Sequence, residues 1–149
     1  MFGLWKKRKP GYPETSGWDV KTAQYQGKPM IVRVNASAEQ LVGHPDYRYR
    51  VGIAIPLRDP ADNGLPSSAE NLLLNDIEDM VCAELERDKA GLHVLSIATQ
   101  SMKEFVFYTK APNEAARSYE GLKASVTSHE LQCVIEQDAN WGVYKQFAK

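Results

Sequence analysis

Residues 101–112 read SMKEFVFYTKAP, and the four apolar residues in the middle of that stretch decide the fold. Successive side chains on a strand point to opposite faces, so Phe105 and Phe107 share one side and Val106 and Tyr108 the other. Both faces are then apolar. One of them must be core, and the other is either covered by a further element or kept for a partner. The preceding run LHVLSIAT (92–99) is itself strand-like and QSMK reads as a turn, so the pair is expected as a hairpin.

Working outward, KPMIVRVN (28–35) predicts a strand with Met30, Val32 and Val34 on one face and Ile31, Arg33 and Asn35 on the other. YRYRVGIAIPL (47–57) alternates most cleanly: Tyr47, Tyr49, Val51, Ile53 and Ile55 oppose Arg48, Arg50, Gly52 and Ala54. LQCVIEQ (131–137) is the last strand. SSAENLLLNDIEDMVCAELERDKAG (67–91) predicts a long helix. Ser67 and Glu70 have capping-box spacing, Leu73, Ile77, Met80, Val81 and Leu85 form the expected buried stripe, and Gly91 is the expected C′ stop. NEAARSYEGLKASV (113–126) predicts a weaker helix aligning Ala115, Tyr119, Leu122 and Val126. DANWGVYKQFAK closes the sequence as a short helix with Trp141, Tyr144 and Phe147 near one side. Residues 1–20 are expected to lie loosely on the surface apart from Trp18.

The order is β-β-α-β-β-α-β, with strand–helix–strand occurring twice. That pattern predicts an α+β fold, a ferredoxin-like two-layer sandwich: an antiparallel sheet of about five strands with two helices on one face. The reverse face is expected to stay open, lined by the second apolar pair of the hairpin.

A length of 149 residues, 43% hydrophobic and 25% charged, fits one globular domain over 1–149, with 1–15 a loose basic segment. Net charge is −1, yet residues 1–58 carry ten Lys/Arg against four Asp/Glu and residues 59–149 eight against fifteen. The run Lys6–Lys9 supplies four of the positive charges and reads as a solvated tail. Cys82 and Cys133 are too few for a disulfide framework. No apolar run reaches the roughly 20 residues of a membrane span. MFGLWKKRKPGYP has no apolar stretch after its basic run, so no secretory signal is read there and the default expectation is cytoplasmic. MFGLWKKRK is too short to hold a membrane surface by itself.

Residues able to carry chemistry are scattered. His44, His93 and His129 sit in three separate elements and read as structural histidines, and the two cysteines read as small core residues. No metal site and no cofactor are expected. Asp59, Asn63, Gly64 and Glu70 match four positions of a calcium loop, but Ala61 takes a ligand position and Glu70 is explained by the helix cap. Asp76, Glu78, Asp79, Glu84 and Glu86 read as the solvated face of the long helix. Asp79, next to the buried stripe, is singled out as a partner for Arg33 or Lys103. No glycine-rich phosphate loop or G-x-S-x-G elbow is present. YRYR interleaves basic and aromatic residues, but a pI near 6.3 speaks against nucleic acid.

Trp18, PMIVRVN, the AENLLLNDIED helix, IATQSMKEFVFYT and EQDANWGVY together resemble the DUF695 family, small bacterial domains of unknown function, over about residues 16–148. The family's hairpin reads T-x-x-G-x-R-E-x-x-F-Y and its end D-D-P-x-W-x-x-Y. Here Ser101 or Met102 and Lys103 replace the Gly and Arg, and Asp138, Trp141 and Tyr144 fit the end. A two-pronged grip of that Arg on an anion would not be reproduced by Lys103. The resemblance implies an α+β sandwich akin to ribonuclease-E inhibitor B-like domains, and no established activity.

Two functions are weighed. The first is a non-catalytic binding or regulatory module, with a protein partner on the open sheet face beside Trp18 and Trp141. The second is a small-molecule binder or enzyme with a cleft between the sheet and the C-terminal segment. The candidate residues are Trp18, Arg33, Asp79, Lys103, Tyr108, Trp141 and Tyr144. No catalytic residue is assigned.

Overall fold

The computed structural model describes residues 11–149, so the Lys6–Lys9 run lies outside the described residues. Its strands are β1 (Trp18–Tyr25), β2 (Lys28–Asn35), β3 (Tyr49–Pro56), β4 (Gly91–Thr99), β5 (Met102–Thr109) and β6 (Gln132–Gln137). The helices are α1 (Ser68–Leu85), α2 (Pro112–Ser125) and α3 (Gly142–Ala148), with a 3-10 turn at Ala36–Leu41. All pairings are antiparallel, in the order β1-β2-β4-β5-β3-β6. The sheet therefore has six strands among the described residues where about five were expected. The addition is β1, which runs into β2 through a two-residue turn at Gln26 and Gly27, both at positive φ. That is the backbone a tight hairpin needs, and Gly27 adopts it at little cost.

The four central residues of the opening stretch are all buried, at 0–1% exposure. Phe105 and Phe107 pack with Val51, Ile53 and Ile55 under α1 and α2. Val106 and Tyr108 pack on the reverse side with Val32, Val34, Trp141 and Tyr144. The reverse face is thus not open over β2, β4 and β5. The C-terminal segment and the 3-10 turn cover it, because Tyr108 and its neighbours offer too much apolar area to leave in water. What stays uncovered is the corner of β3 and β6, where Val134 is 47% exposed.

Two expectations for α1 are corrected. Its buried stripe is Leu74, Ile77, Val81 and Leu85, while Leu73 and Met80 face solvent at 45% and 38% exposure. It also ends at Leu85, six residues before Gly91. Gly91 instead opens β4, and a Cβ there would stand 2.6 Å from the Leu85 carbonyl oxygen, so close approach excludes a side chain.

The capping box is half made. Ser67 Oγ accepts from the Glu70 amide at 3.2 Å. The Glu70 carboxylate turns away and takes the Arg58 and Asp59 amides at 2.6 and 2.9 Å and the His129 ring at 2.6 Å. These three partners occupy the carboxylate that the calcium-loop pattern would need. Burial pushes the Glu70 pKa up, but the Arg58 amide, the His129 ring and the Asp59 amide outweigh it, and the net shift is downward. A depressed carboxyl pKa means stability that is present above the ordinary carboxylate range and lost as pH falls through the native value. Glu70→Ala strands buried donors and is expected to cost about 2–3 kcal/mol in urea denaturation. Glu70→Gln, which still accepts from the backbone, should cost less. Equal costs would show that the hydrogen bonds do not hold this loop.

Candidate functional site

The sheet separates the expected residues into two groups. Trp18 (β1), Arg33 (β2) and Lys103 (β5) lie on the side of α1. Tyr108, Trp141 and Tyr144 lie across the sheet. Asp79 joins neither, because it is exposed on the outer side of α1. The partner of Arg33 is its neighbour Glu78, one step round the helix, with Nη1–Oε1 at 3.0 Å.

On the α1 side the Arg33 guanidinium lies over the Trp18 ring, 4.8 Å from its centroid. Trp18 meets the His93 ring at 4.8 Å, and His93 stacks on Phe107 at 4.7 Å and 21°. A β-bulge between His93 and Leu95 breaks the β4–β5 register at this point. Bulges re-aim side chains, and this one folds the chain so that His93 Nε2 reaches the Leu95 carbonyl at 3.0 Å. With the ring proton on Nε2, Nδ1 is an acceptor. Cys82 Sγ stands 3.5 Å from it and donates. The His93 amide donates to Glu86 Oε2 at 2.9 Å, and the His93 carbonyl accepts from Asn35 Nδ2 at 2.9 Å.

Burial, reinforced by the Arg33 charge, holds the His93 pKa down to about 3. Burial and the nearby Glu86, Glu78 and Asp79 carboxylates push the Cys82 thiol pKa up. Both shifts favour the neutral thiol–imidazole pair, the opposite of what an activated cysteine nucleophile requires. Burial also raises the Glu86 pKa, against the His93 amide and the Tyr12 hydroxyl. Lys103 is lowered by burial, which outweighs the attraction of Glu78. Ser96, paired in register with Arg33 and Phe105, buries its hydroxyl with no hydrogen-bond partner among the described residues. Over this layer a cleft of about 290 Å³ opens, walled by Tyr12, Trp18, Glu78, Cys82, Glu86 and His93.

The second group forms a latch. Tyr108 and Trp141 stack face to face at 4.0 Å and 7°, and Trp141 meets Tyr144 edge-on at 5.6 Å. Trp141 Nε1 donates to the Tyr47 carbonyl at 2.7 Å, and the Tyr144 hydroxyl to the Asn35 carbonyl at 2.8 Å. Asp138 accepts from the Tyr108 hydroxyl at 2.7 Å and from the Gly142 and Val143 amides, capping α3 from three residues upstream of Trp141. Trp141 and Tyr144 thus fill the space in which a cleft under the C-terminal segment was expected. A third concavity, a groove of about 710 Å³ between α1 and α2, is lined mainly by small and charged side chains such as Ala83, Ala115, Ser118, Glu84 and Arg117. Among the described residues no three metal-ligating side chains converge.

A family model described as "Family of unknown function (DUF695)" matches residues 16–148. The chain belongs to the DUF695 family. No curated protein and no solved structure matches it. Asp138, Trp141 and Tyr144, the residues whose spacing resembles the family's end pattern, build the latch together with Tyr108.

Sequence reasoning passed over the residues that complete the cleft. Glu78, Cys82 and Glu86 recur every fourth position, the first two on one face of α1 and the third at its C-cap on the same side, a signal that reading the acidic residues as a solvated face discards. Tyr12 falls in the segment expected to lie loosely on the surface, but its hydroxyl donates to the Gly91 carbonyl at 2.7 Å. Nothing in the sequence marks that contact.

Proposed function

We propose that the protein is a non-catalytic binding module whose site is the cleft between α1 and the first hairpin. The observation that carries this reading is the cleft itself: an aromatic-walled hollow whose floor is the neutral, mutually bonded pair of His93 and Cys82. The fully bonded His93 and the protonated Cys82 suit recognition and give no nucleophile. A volume near 290 Å³ lies at the small end of ligand pockets, so the ligand, or the inserted part of one, is small.

The architecture supports this placement. The order β4-β5-β3-β6, with α1 and α2 as the two crossovers, accords with a ferredoxin-like split βαβ pair. On that reading β1 and β2 are an added hairpin on the β4 edge. The hairpin supplies Trp18 and Asn35 to the cleft lining and Arg33 against the Trp18 ring, so the cleft lies where these strands meet the rest of the sheet. The uncovered corner of β3 and β6 around Val134 is the remaining place for a macromolecular partner. Two free thiols accord with a reducing, cytoplasmic setting.

A thermal-shift screen of small metabolites tests the reading. A ligand that prefers the folded state raises its melting temperature by mass action. At least one compound is expected to raise the Tm of the full chain and to lose that effect in Trp18→Ala. Shifts of equal size in the variant would place binding elsewhere. Chemical conversion of the compound would overturn the non-catalytic assignment.

A further inference from the structure

The cleft has a charge preference, and the inference drawn from it rests on the binding reading above. We propose that the cleft takes an organic cation, an alkylammonium or guanidinium group, seated against Glu86 between the rings of Tyr12 and Trp18.

Glu78 of α1 and Glu86, the residue that caps its C-terminal end, both line the hollow, and their situations differ. Glu78 is neutralised by Arg33 at 3.0 Å. Glu86 has no Lys, Arg or His side chain within ion-pair distance among the described residues. Its Oε2 takes the His93 amide, which anchors the carboxylate without cancelling its charge. A half-buried carboxylate with no cationic partner among the described residues is costly to keep, and a ligand cation is the partner that would relieve the cost.

The walls point the same way, independently of charge count. Aromatic faces attract cations through their quadrupoles. The two rings of this cleft already do so within the chain: Arg33 lies 4.8 Å from the Trp18 centroid and the Lys89 Nζ 5.8 Å from that of Tyr12. An anion entering here would face Glu86 and Glu78 across a short distance. A neutral ligand would bury Glu86 further and leave it unpaired. Only a cation gains from both the carboxylate and the rings.

Calorimetric titration of the full chain tests the proposal. The probes are agmatine and cadaverine as free amines, Nα-acetyl-lysine amide as a peptide side chain, and succinate and 1-pentanol as the anionic and neutral comparisons. At least one cation is expected to bind, and Glu86→Gln to weaken it by about 10- to 100-fold, the range for a hydrogen bond to a charged group. The Gln side chain can still accept from the His93 amide, so this variant keeps the local fold, which its Tm checks. Glu84→Gln, whose side chain lies outside this cleft, should leave binding unchanged. Whichever cation binds tighter tells a free amine from a basic side chain.

Lys6, Lys7, Arg8 and Lys9 carry the same chemistry within the chain. The titrations are therefore repeated on a full-length variant with serine at those four positions, and absence of cation binding in both chains overturns the proposal. So does cation binding that Glu86→Gln leaves intact. If succinate or pentanol binds instead and Trp18→Ala abolishes it, the cleft reading survives and the cation assignment falls.

Discussion

Trp141→Ala is expected to destabilise the protein by about 5 kcal/mol, the upper end for removing a fully buried tryptophan. Three losses combine. The ring is 0% exposed and stacks on Tyr108 at 4.0 Å, so its removal leaves a cavity against an aromatic face. The Tyr47 carbonyl loses the donor that reaches it at 2.7 Å. The backbone of residue 141 sits at φ 58° and ψ 41°, a left-handed conformation that alanine does not relieve and that the ring contacts no longer hold. Native stabilities run near 5–15 kcal/mol, so the variant should be largely unfolded at 37 °C. Trp141→Phe keeps most of the stacking and loses the hydrogen bond, and should cost about 2 kcal/mol. Guanidinium denaturation followed by far-UV circular dichroism measures both. A loss under about 1.5 kcal/mol for the alanine variant would show that α3 rests on the sheet without holding it.

The same latch explains where the sequence was legible and where it was not. Strands β2 to β6 and all three helices are legible in the sequence, because each turns at least a partly buried apolar face to the rest of the fold. In β1 the pattern fails. Val20 is 66% and Tyr25 47% exposed, so this edge strand carries little apolar signal, and its hairpin is marked only by Gln26-Gly27. The α1 stripe went wrong by one position for a related reason. Leu72, Leu73 and Leu74 are consecutive, any of them fits a helical face, and only the sheet beneath selects Leu74. The covering of the reverse face turns on Tyr108, whose hydroxyl hydrogen-bonds to Asp138 thirty residues away. No local pattern reports a pairing of that span.

The site divides in the same way. Arg33, Trp18 and Lys103 were singled out from unlike segments, and the fold brings them to one side of the sheet. The choice of Asp79 over Glu78 failed on helix phase, since a difference of one residue rotates a side chain by about 100°. His93 was read as a structural histidine. It is one, but its packing against Trp18 and its bond to Cys82 also make it the floor of the cleft. That double role depends on the bulge at Val94, an irregularity that alternation in LHVLSIAT does not reveal.

Acid should weaken the fold well above the pH at which its carboxylates protonate, and His93 is the reason. Its native pKa is held near 3 against an ordinary value of 6.5. The unfolded chain therefore takes up a proton at this residue from pH 6.5 downward, while the native chain does not. Stability from this group is fully present above pH 6.5 and falls as pH drops towards 3. The expected loss is about 2 kcal/mol at pH 5 and on the order of 4 kcal/mol at pH 3. Glu86 works in the opposite direction. Its raised pKa lets the native state bind a proton more readily, which returns some stability as pH falls. Glu70 and Asp138, both lowered, add their losses only below the ordinary carboxylate range. In the window between pH 6.5 and 5, Glu104, raised by burial like Glu86, also offsets part of the histidine's loss, so it is the comparison with a variant at position 93 that separates the histidine from the carboxyls. Urea denaturation across that window should show a steeper pH slope in the native sequence than in His93→Gln, whatever the absolute stability of the variant. The His93 ring resonances should stay those of the neutral Nε2–H tautomer from pH 7.5 to 4.5. Titration of those resonances near pH 6.5 would mean that the ring is solvated and charged in the folded protein, and the neutral Cys82–His93 floor of the cleft would not exist.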